Sequence, residues 1–448
     1  MAEGLSIPGK IVLSVMMAGM ASVSLSGCGG GGKKSDQPFE GERIPVLAFE
    51  RQIEPDLRIQ DVDVVLPSPY VNPDWPQAGG YPGHAMQHLA LSDNPKKIWS
   101  TSIGKGSSGR KWLTAMPVVA DGRIYAIDTN AVISAFDADN GRRIWDRRIE
   151  REGEKKDVSF GGGVSYADGK IFASTGYGVI VALDAGSGRE IWREFLTVPL
   201  RGAPTVAGGQ VYVHTYDNQL YALSEDTGEI LWDHVGISEV AGILGSASPA
   251  VSGGTVIAAY SSGELVALTV ENGRVTWSDA LTRRGALTPL ASLNDIDGHP
   301  VIDRGRVYAA SQGGRTVAID LRTGERLWER NIGSLHTPWV AGDYLFLLTE
   351  NNELVCLSRT NGRVRWVQQL QNYKDLEDRK GPLQWAGPVV AGDRIIVTSS
   401  HGYALSISPY TGEIISGMSL SDKSFLSPIV ADGVLYILTN DGDLLALK

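Results

Sequence analysis

Seven histidines, two cysteines and a few acidic or glycine-rich clusters are the residues of this chain that could do chemistry, and most stand at the wrong spacing for it. His84 and His88 are four apart, as two metal ligands on one helical turn would be. No third ligand is near, so polar surface ahead of the repeats is the expected role. Asn294-Asp295-Ile296-Asp297-Gly298 has the composition of a calcium loop. In that register Leu293 takes the first ligand position and Arg304 the twelfth, where a carboxylate is required. Gly104 to Gly109 is glycine-rich but departs from the phosphate-loop pattern, and a flexible loop is expected. The serine-hydrolase and zinc-protease signatures GxSxG and HExxH are absent. The sequence therefore predicts no catalytic residue, no metal ligand and no cofactor site.

The elements that would hold any site are announced by repetition. Between residues 119 and 438 a phrase of small apolar residues, a Gly/Asp turn and an apolar strand occurs eight times, as in VADGRIYAID from Val119 and VAGGQVYVHT from Val206. A second phrase follows the first seven copies and carries Gly with Trp four residues on: Gly141 and Trp145, Gly188 and Trp192, Gly228 and Trp232, continuing to Gly362 and Trp366. The seventh copy, at Gly412, has Ser416 in place of Trp. A period of roughly 40–50 residues with several short strands per unit predicts a β-propeller. The last unit stops at Lys448 one strand short, and KKIWSTSI around Trp99 supplies a strand too many at the front. Joined, they give an all-β, eight-bladed ring of four-stranded antiparallel blades with no free edge. In an up-and-down blade the tight A–B and C–D turns share one face. The B–C turns and the links from strand D to the next strand A share the other, and every long connection is a D–A link, which marks that face for binding.

The front of the chain speaks of compartment. Ile11 to Leu25 is an apolar run behind Lys10, short for a membrane span and suited to a signal peptide. It ends in Leu25-Ser26-Gly27-Cys28, similar to a bacterial lipobox, in which the cysteine becomes the lipid-bearing N-terminus. The expected organisation is a signal peptide at 1–27, a lipidated Cys28 with a tether and N-terminal extension at 28–68, and the propeller at 69–448. Gly29 after the cysteine resembles the sorting signal for the outer membrane of Gram-negative bacteria, with the propeller on the periplasmic side. Cys356 then has no partner and is expected to be a small buried hydrophobe. A net charge of −10 leaves no footprint for nucleic acid or anionic lipid.

The Gly-x-x-x-Trp phrase resembles the repeat of pyrroloquinoline quinone (PQQ) enzymes, seen in Ala318 to Trp328. The vicinal Cys-Cys pair and the calcium-binding set typical of those dehydrogenases have no counterpart here. Lipobox, glycine tether and eight PQQ-like repeats together resemble the BamB family, lipoproteins of the outer-membrane β-barrel assembly machine. Two segments carry the resemblance further. Val198-Pro199-Leu200-Arg201-Gly202 is similar to the family's L-x-L-R-G segment, with Val198 for its first Leu. Leu293-Asn294-Asp295-Ile296-Asp297 is similar to its L-x-D-x-D segment, without the Arg that often precedes it. The resemblance implies a non-enzymatic scaffold that docks on the periplasmic POTRA domains of BamA, the barrel subunit, and aids assembly and insertion of outer-membrane proteins. It assigns docking to Val198 and Leu200 as apolar anchor, Arg201 as charged donor, and Asp295 and Asp297 as acceptors that also orient Arg201. Both segments are D–A links and so must share a face. Two other readings stay open: a PQQ-dependent oxidoreductase, and a propeller binding cell-envelope glycan or peptide in its central funnel. Strand addition of nascent barrel proteins at a blade edge is a further possibility that no unusual edge in the sequence supports.

Overall fold

A computed structural model describes residues 53–109, 111–151, 153, 161–237, 247–282 and 295–448. Cys28, with the expected signal peptide and the first part of the expected tether, lies outside the described residues. Eight four-stranded antiparallel sheets follow one another around a ring. Seven are consecutive in sequence. The eighth joins three strands from the end of the chain to Lys97–Ser102 from its front, with Trp99 opposite Ala446 and Ser102 opposite Asp443. An additional two-stranded hairpin, Tyr373–Asp375 with Lys380–Pro382, occupies the charged link before blade 7.

Strand formation follows from the alternation of the repeats. In blade 3, Val211, Tyr212 and Val213 are wholly buried because one strand face packs on blade 2 and the other on blade 4. The Asp121-Gly122 turn has φ of 49° and 67°, the paired positive values of a two-residue hairpin turn that matches strand twist. Cys356 is buried opposite Trp366, where burial alone pushes its thiol pKa well above the ordinary value.

The Trp of each phrase does not serve the Gly four residues before it. Trp192 of blade 2 lies on Gly228 of blade 3, and its indole N–H donates to Glu225 O at 2.8 Å in the same turn. Trp99, Trp145, Trp232, Trp277, Trp328 and Trp366 repeat the arrangement on Gly141, Gly188, Gly273, Gly324, Gly362 and Gly412. Each Gly is required twice over, by a positive φ and by a ring where Cβ would stand. Ser416 follows from the same rule. Its neighbour is blade 8, whose third and fourth strands come from opposite ends of the chain, so no C–D turn exists to seat an indole.

The central channel is filled by a segment that the repeats do not predict. Residues 70–90 make one circuit inside the ring, bonding to the eight blades in order. Asn72 binds blade 8 through Val430 O (2.7 Å) and Asp432 N (2.8 Å). Trp75 pairs with Val119 of blade 1, and Pro76 O accepts from Tyr166 of blade 2. The Gln77 amide donates to Val206 O and accepts from Val206 N of blade 3, at 2.8 and 2.9 Å. Pro82 O and Gly83 O accept from Val251 and Ile302 of blades 4 and 5. Gln87 O accepts from the Trp339 indole of blade 6, and Leu89 pairs with Val390 and Gly392 of blade 7. Tyr70 N donates to His88 O and Ala90 N to Tyr70 O, which clasps the circuit shut. The innermost strands, only three residues long in most blades, would otherwise leave these groups unpaired.

This corrects the expectation for His84 and His88. Both are buried, His84 against Pro300 O and His88 against Pro67 O, each through Nδ1–H at 2.7 Å. They are internal parts of the plug rather than surface. The compact unit includes Ile53 to Ser68, the end of the expected N-terminal extension. Asp56 N donates to Val364 O, and the Tyr344 hydroxyl to Asp63 O, so residues 53–68 lie along blade 6.

Candidate docking face

The D–A links and B–C turns share the face opposite the blades' Gly/Asp turns, as the up-and-down topology requires. Val198 to Gly202 connects blades 2 and 3. Its backbone is tied on both sides: Leu200 bridges to Thr215, Arg201 N donates to His214 O, and Arg201 O accepts from Gly162 N. Gly178 is needed here, because a Cβ would stand 2.4 Å from Leu196 O and 2.9 Å from Val198 O. Asp295 to Gly298 enters blade 5, and Asp295 O accepts from Gln312 N at 2.9 Å. Leu293 and Asn294 lie outside the described residues.

The structure brings part of the expected set together. The Arg201 guanidinium acts on Asp297 across the intervening blades, so the two segments do converge. Burial, and then the Asp295 charge, push the Asp297 carboxyl up to about 7, while Arg201 pulls it down. Its Oδ1 is shielded from solvent and has no hydrogen-bond partner. Asp295 is buried. A ladder of hydrogen bonds joins the loops behind these side chains: Ser248 Oγ donates to Ala203 O, and Ser248 N to His299 Nδ1, both at 2.9 Å.

Leu200 does not fit its expected role. It is 1% exposed and packs in the cluster of blades 2 and 3 with Phe172, Leu196 and Val213, so it cannot present an apolar anchor. Val198 is half-buried and Pro199 exposed. The exposed aromatic at this place is Tyr216, 49% exposed, whose N–H donates to Pro199 O and whose ring lies 4.8 Å under the Arg201 guanidinium. Sequence reading missed Tyr216. Its signal was a bulky aromatic in a B–C turn, Thr215-Tyr216-Asp217-Asn218, where a residue with no structural duty is free to be polar.

Beside these loops opens a funnel of about 680 Å³, lined among others by Trp112, Asp297, His336, Glu350, Trp385 and Phe425. No group of three or more His, Cys, Asp or Glu side chains placed to hold a metal occurs among the described residues.

Comparison with known proteins places this architecture. The family model for the outer membrane protein assembly factor BamB matches residues 87–153 and 129–368. The chain belongs to the BamB family. The BamB of Salmonella typhimurium is 30% identical over 79% of this chain and 88% of its own length. That of Yersinia pestis is 29% identical with the same coverage. The crystal structure of BamB from Moraxella catarrhalis superposes with a TM-score of 0.68 at 21% identity, covering 79% of this chain and all of that one. Quinohemoprotein alcohol dehydrogenase from Comamonas testosteroni, with a TM-score of 0.63 at 15% identity, covers 84% of this chain and 80% of its own; the likeness is one of fold. The BamB match begins at residue 87, so most of the central plug precedes it.

Proposed function

We propose that this chain is the lipid-anchored, periplasmic scaffold subunit of the outer-membrane barrel-assembly machinery, without catalytic activity of its own. In this reading Cys28 carries the lipid and the D–A face docks on the POTRA domains of a BamA-type barrel subunit. The observation that carries the docking face is the convergence of Arg201 and Asp297 from links separated by two blades. Arg201 is itself buried, 9% exposed, and its guanidinium holds the exposed Tyr216 ring, an aromatic of the kind enriched where binding energy concentrates. Val198 adds apolar surface, and Asp295 and Asp297 brace the arrangement. Leu200 supports from beneath, as part of the core.

The test is capture of the barrel subunit by the tagged, detergent-extracted lipoprotein, comparing wild type with Tyr216→Glu and Val198→Glu. Neither substitution opens the core, so both variants should remain folded and anchored. Loss of the barrel subunit with either variant is expected. Retention by both would move the interface elsewhere on the propeller, and absence of any barrel subunit with wild type would overturn the scaffold reading.

A further inference from the structure

The funnel on the D–A face is a blind cup. Its walls are D–A links and B–C turns, and the circuit of residues 70–90 closes the channel behind it. Its polar chemistry is unbalanced. Three acceptors line it without a matching donor: the shielded Oδ1 of Asp297, the shielded Oε1 of Gln312, and the carboxylate of Glu350, which no described side chain pairs with. Among the described residues of the lining there is no Lys or Arg. Arg201 reaches Asp297 from the neighbouring loop and still leaves Oδ1 without a donor. At the rim, Trp112 is 44% exposed and meets Phe425 edge-to-face at 5.9 Å.

The two shielded acceptors, Asp297 Oδ1 and Gln312 Oε1, cost free energy that a ligand can recover, and Glu350 adds an exposed carboxyl beside them. A ligand fitting this cup must therefore supply donors and little acceptance, carry positive charge, and offer apolar surface to Trp112 and Phe425. A sugar hydroxyl both donates and accepts, so it answers unpaired acceptors less fully than a donor-only group does. A guanidinium is donor-only, stacks on aromatic faces and answers paired acceptors. The net charge of −10 adds long-range attraction of the same sign.

We propose that the funnel binds a basic segment of a protein partner, an arginine side chain flanked by apolar residues, with Glu350, Asp297 and Gln312 receiving the guanidinium and Trp112 with Phe425 covering the flanks. This site adjoins the docking loops but stands on the cup alone, and the segment it takes is defined by chemistry and not by the identity of the docked subunit.

The probes are the blocked tripeptide Leu-Arg-Leu, its citrulline counterpart, and chitotetraose as a neutral glycan, each titrated by calorimetry into the full detergent-solubilised chain. The arginine peptide should bind, and citrulline in its place should weaken binding about tenfold, the scale of one lost charge-assisted contact. Glu350→Gln, at an exposed site whose replacement leaves the fold intact, should weaken it comparably, and Trp112→Ala should do so for both peptides. Equal affinity for arginine and citrulline, indifference to Glu350→Gln, preference for chitotetraose, or no binding of either peptide would each overturn the proposal. Capture of the barrel subunit by the Glu350→Gln variant is read separately, so failure of the cup and failure of the docking face give different results.

Discussion

Lowering the pH from 7.5 to 5.5 should destabilise this propeller through imidazoles that it buries neutral. His84, in the plug, and His214, beneath the docking loop, are both 4% exposed, and burial depresses the pKa of each to about 4. In the unfolded chain each would titrate near 6.5. A base with a depressed folded pKa binds fewer protons than its unfolded counterpart between those values, so stability is whole above pH 6.5 and is lost as the pH falls toward 4. At pH 5.5 each imidazole withholds about 1.4 kcal/mol, and the pair about 3 kcal/mol, against almost nothing at pH 7.5. Asp297 works in the opposite sense, because its raised carboxyl pKa favours the folded state as pH falls. Its contribution is removed by making the measurement in an Asp297→Asn background. The assay is urea unfolding at both pH values, comparing that background with one that also carries His84→Gln and His214→Gln. His299 and His336, also buried neutral, and Glu350 titrate alike in both proteins, so the histidine-bearing protein should lose about 3 kcal/mol more on acidification than the substituted one. Equal pH dependence in the two backgrounds would refute neutral burial of these rings.

Leu200→Ala should cost about 2–5 kcal/mol in urea unfolding, as a buried leucine does, while Tyr216→Ala should cost under about 1 kcal/mol and act on partner capture instead. The reverse order would return Leu200 to the surface. Gly228→Ala adds a Cβ 2.6 Å from the Trp192 ring at φ 76°, whereas Gly253→Ala meets nothing at φ 55°. Both should lose about 1–2 kcal/mol to left-handed backbone, and only Gly228→Ala should also change Trp fluorescence. Gln77→Ala strips two hydrogen bonds from Val206 and should cost about 2–4 kcal/mol, with faster hydrogen exchange at the Val206 amide. Unchanged exchange there would mean that the plug does not hold blade 3.

What could be read from the sequence was what the chain repeats. Strand, turn and Trp recur in register, so the blade count and the pairing of Trp99's strand with the last blade follow from local pattern alone. The plug has no period. Its partners stand far off in sequence, Asn72 and Val430 by 358 positions, and nothing near Gln77 announces that its amide will complete a strand in blade 3. His84 and His88 looked like surface for the same reason. At the candidate site the segments could be found and their convergence expected from topology, but burial could not. An L-x-L-R-like stretch looks the same whether Leu200 faces outward or into the core, and only the bridge to Thr215 turns it inward and leaves Tyr216 outside.

The inner circuit reverses the usual order of events along a chain. Residues 70–90 precede every blade in sequence, yet each of their bonds to a blade needs a strand that comes later, the last from blade 8. Their satisfaction has to wait for nearly the whole ring, and so does the outer strand at Trp99, which needs Ala446. Contacts of such sequence separation are slow to form because long loops must close first. A chain that has lost Asp443–Leu447 would leave the outer seam unzipped, and one cut before Val430 would also leave the plug without its final purchase. Two segments that precede the blades thus act as a check on their completion.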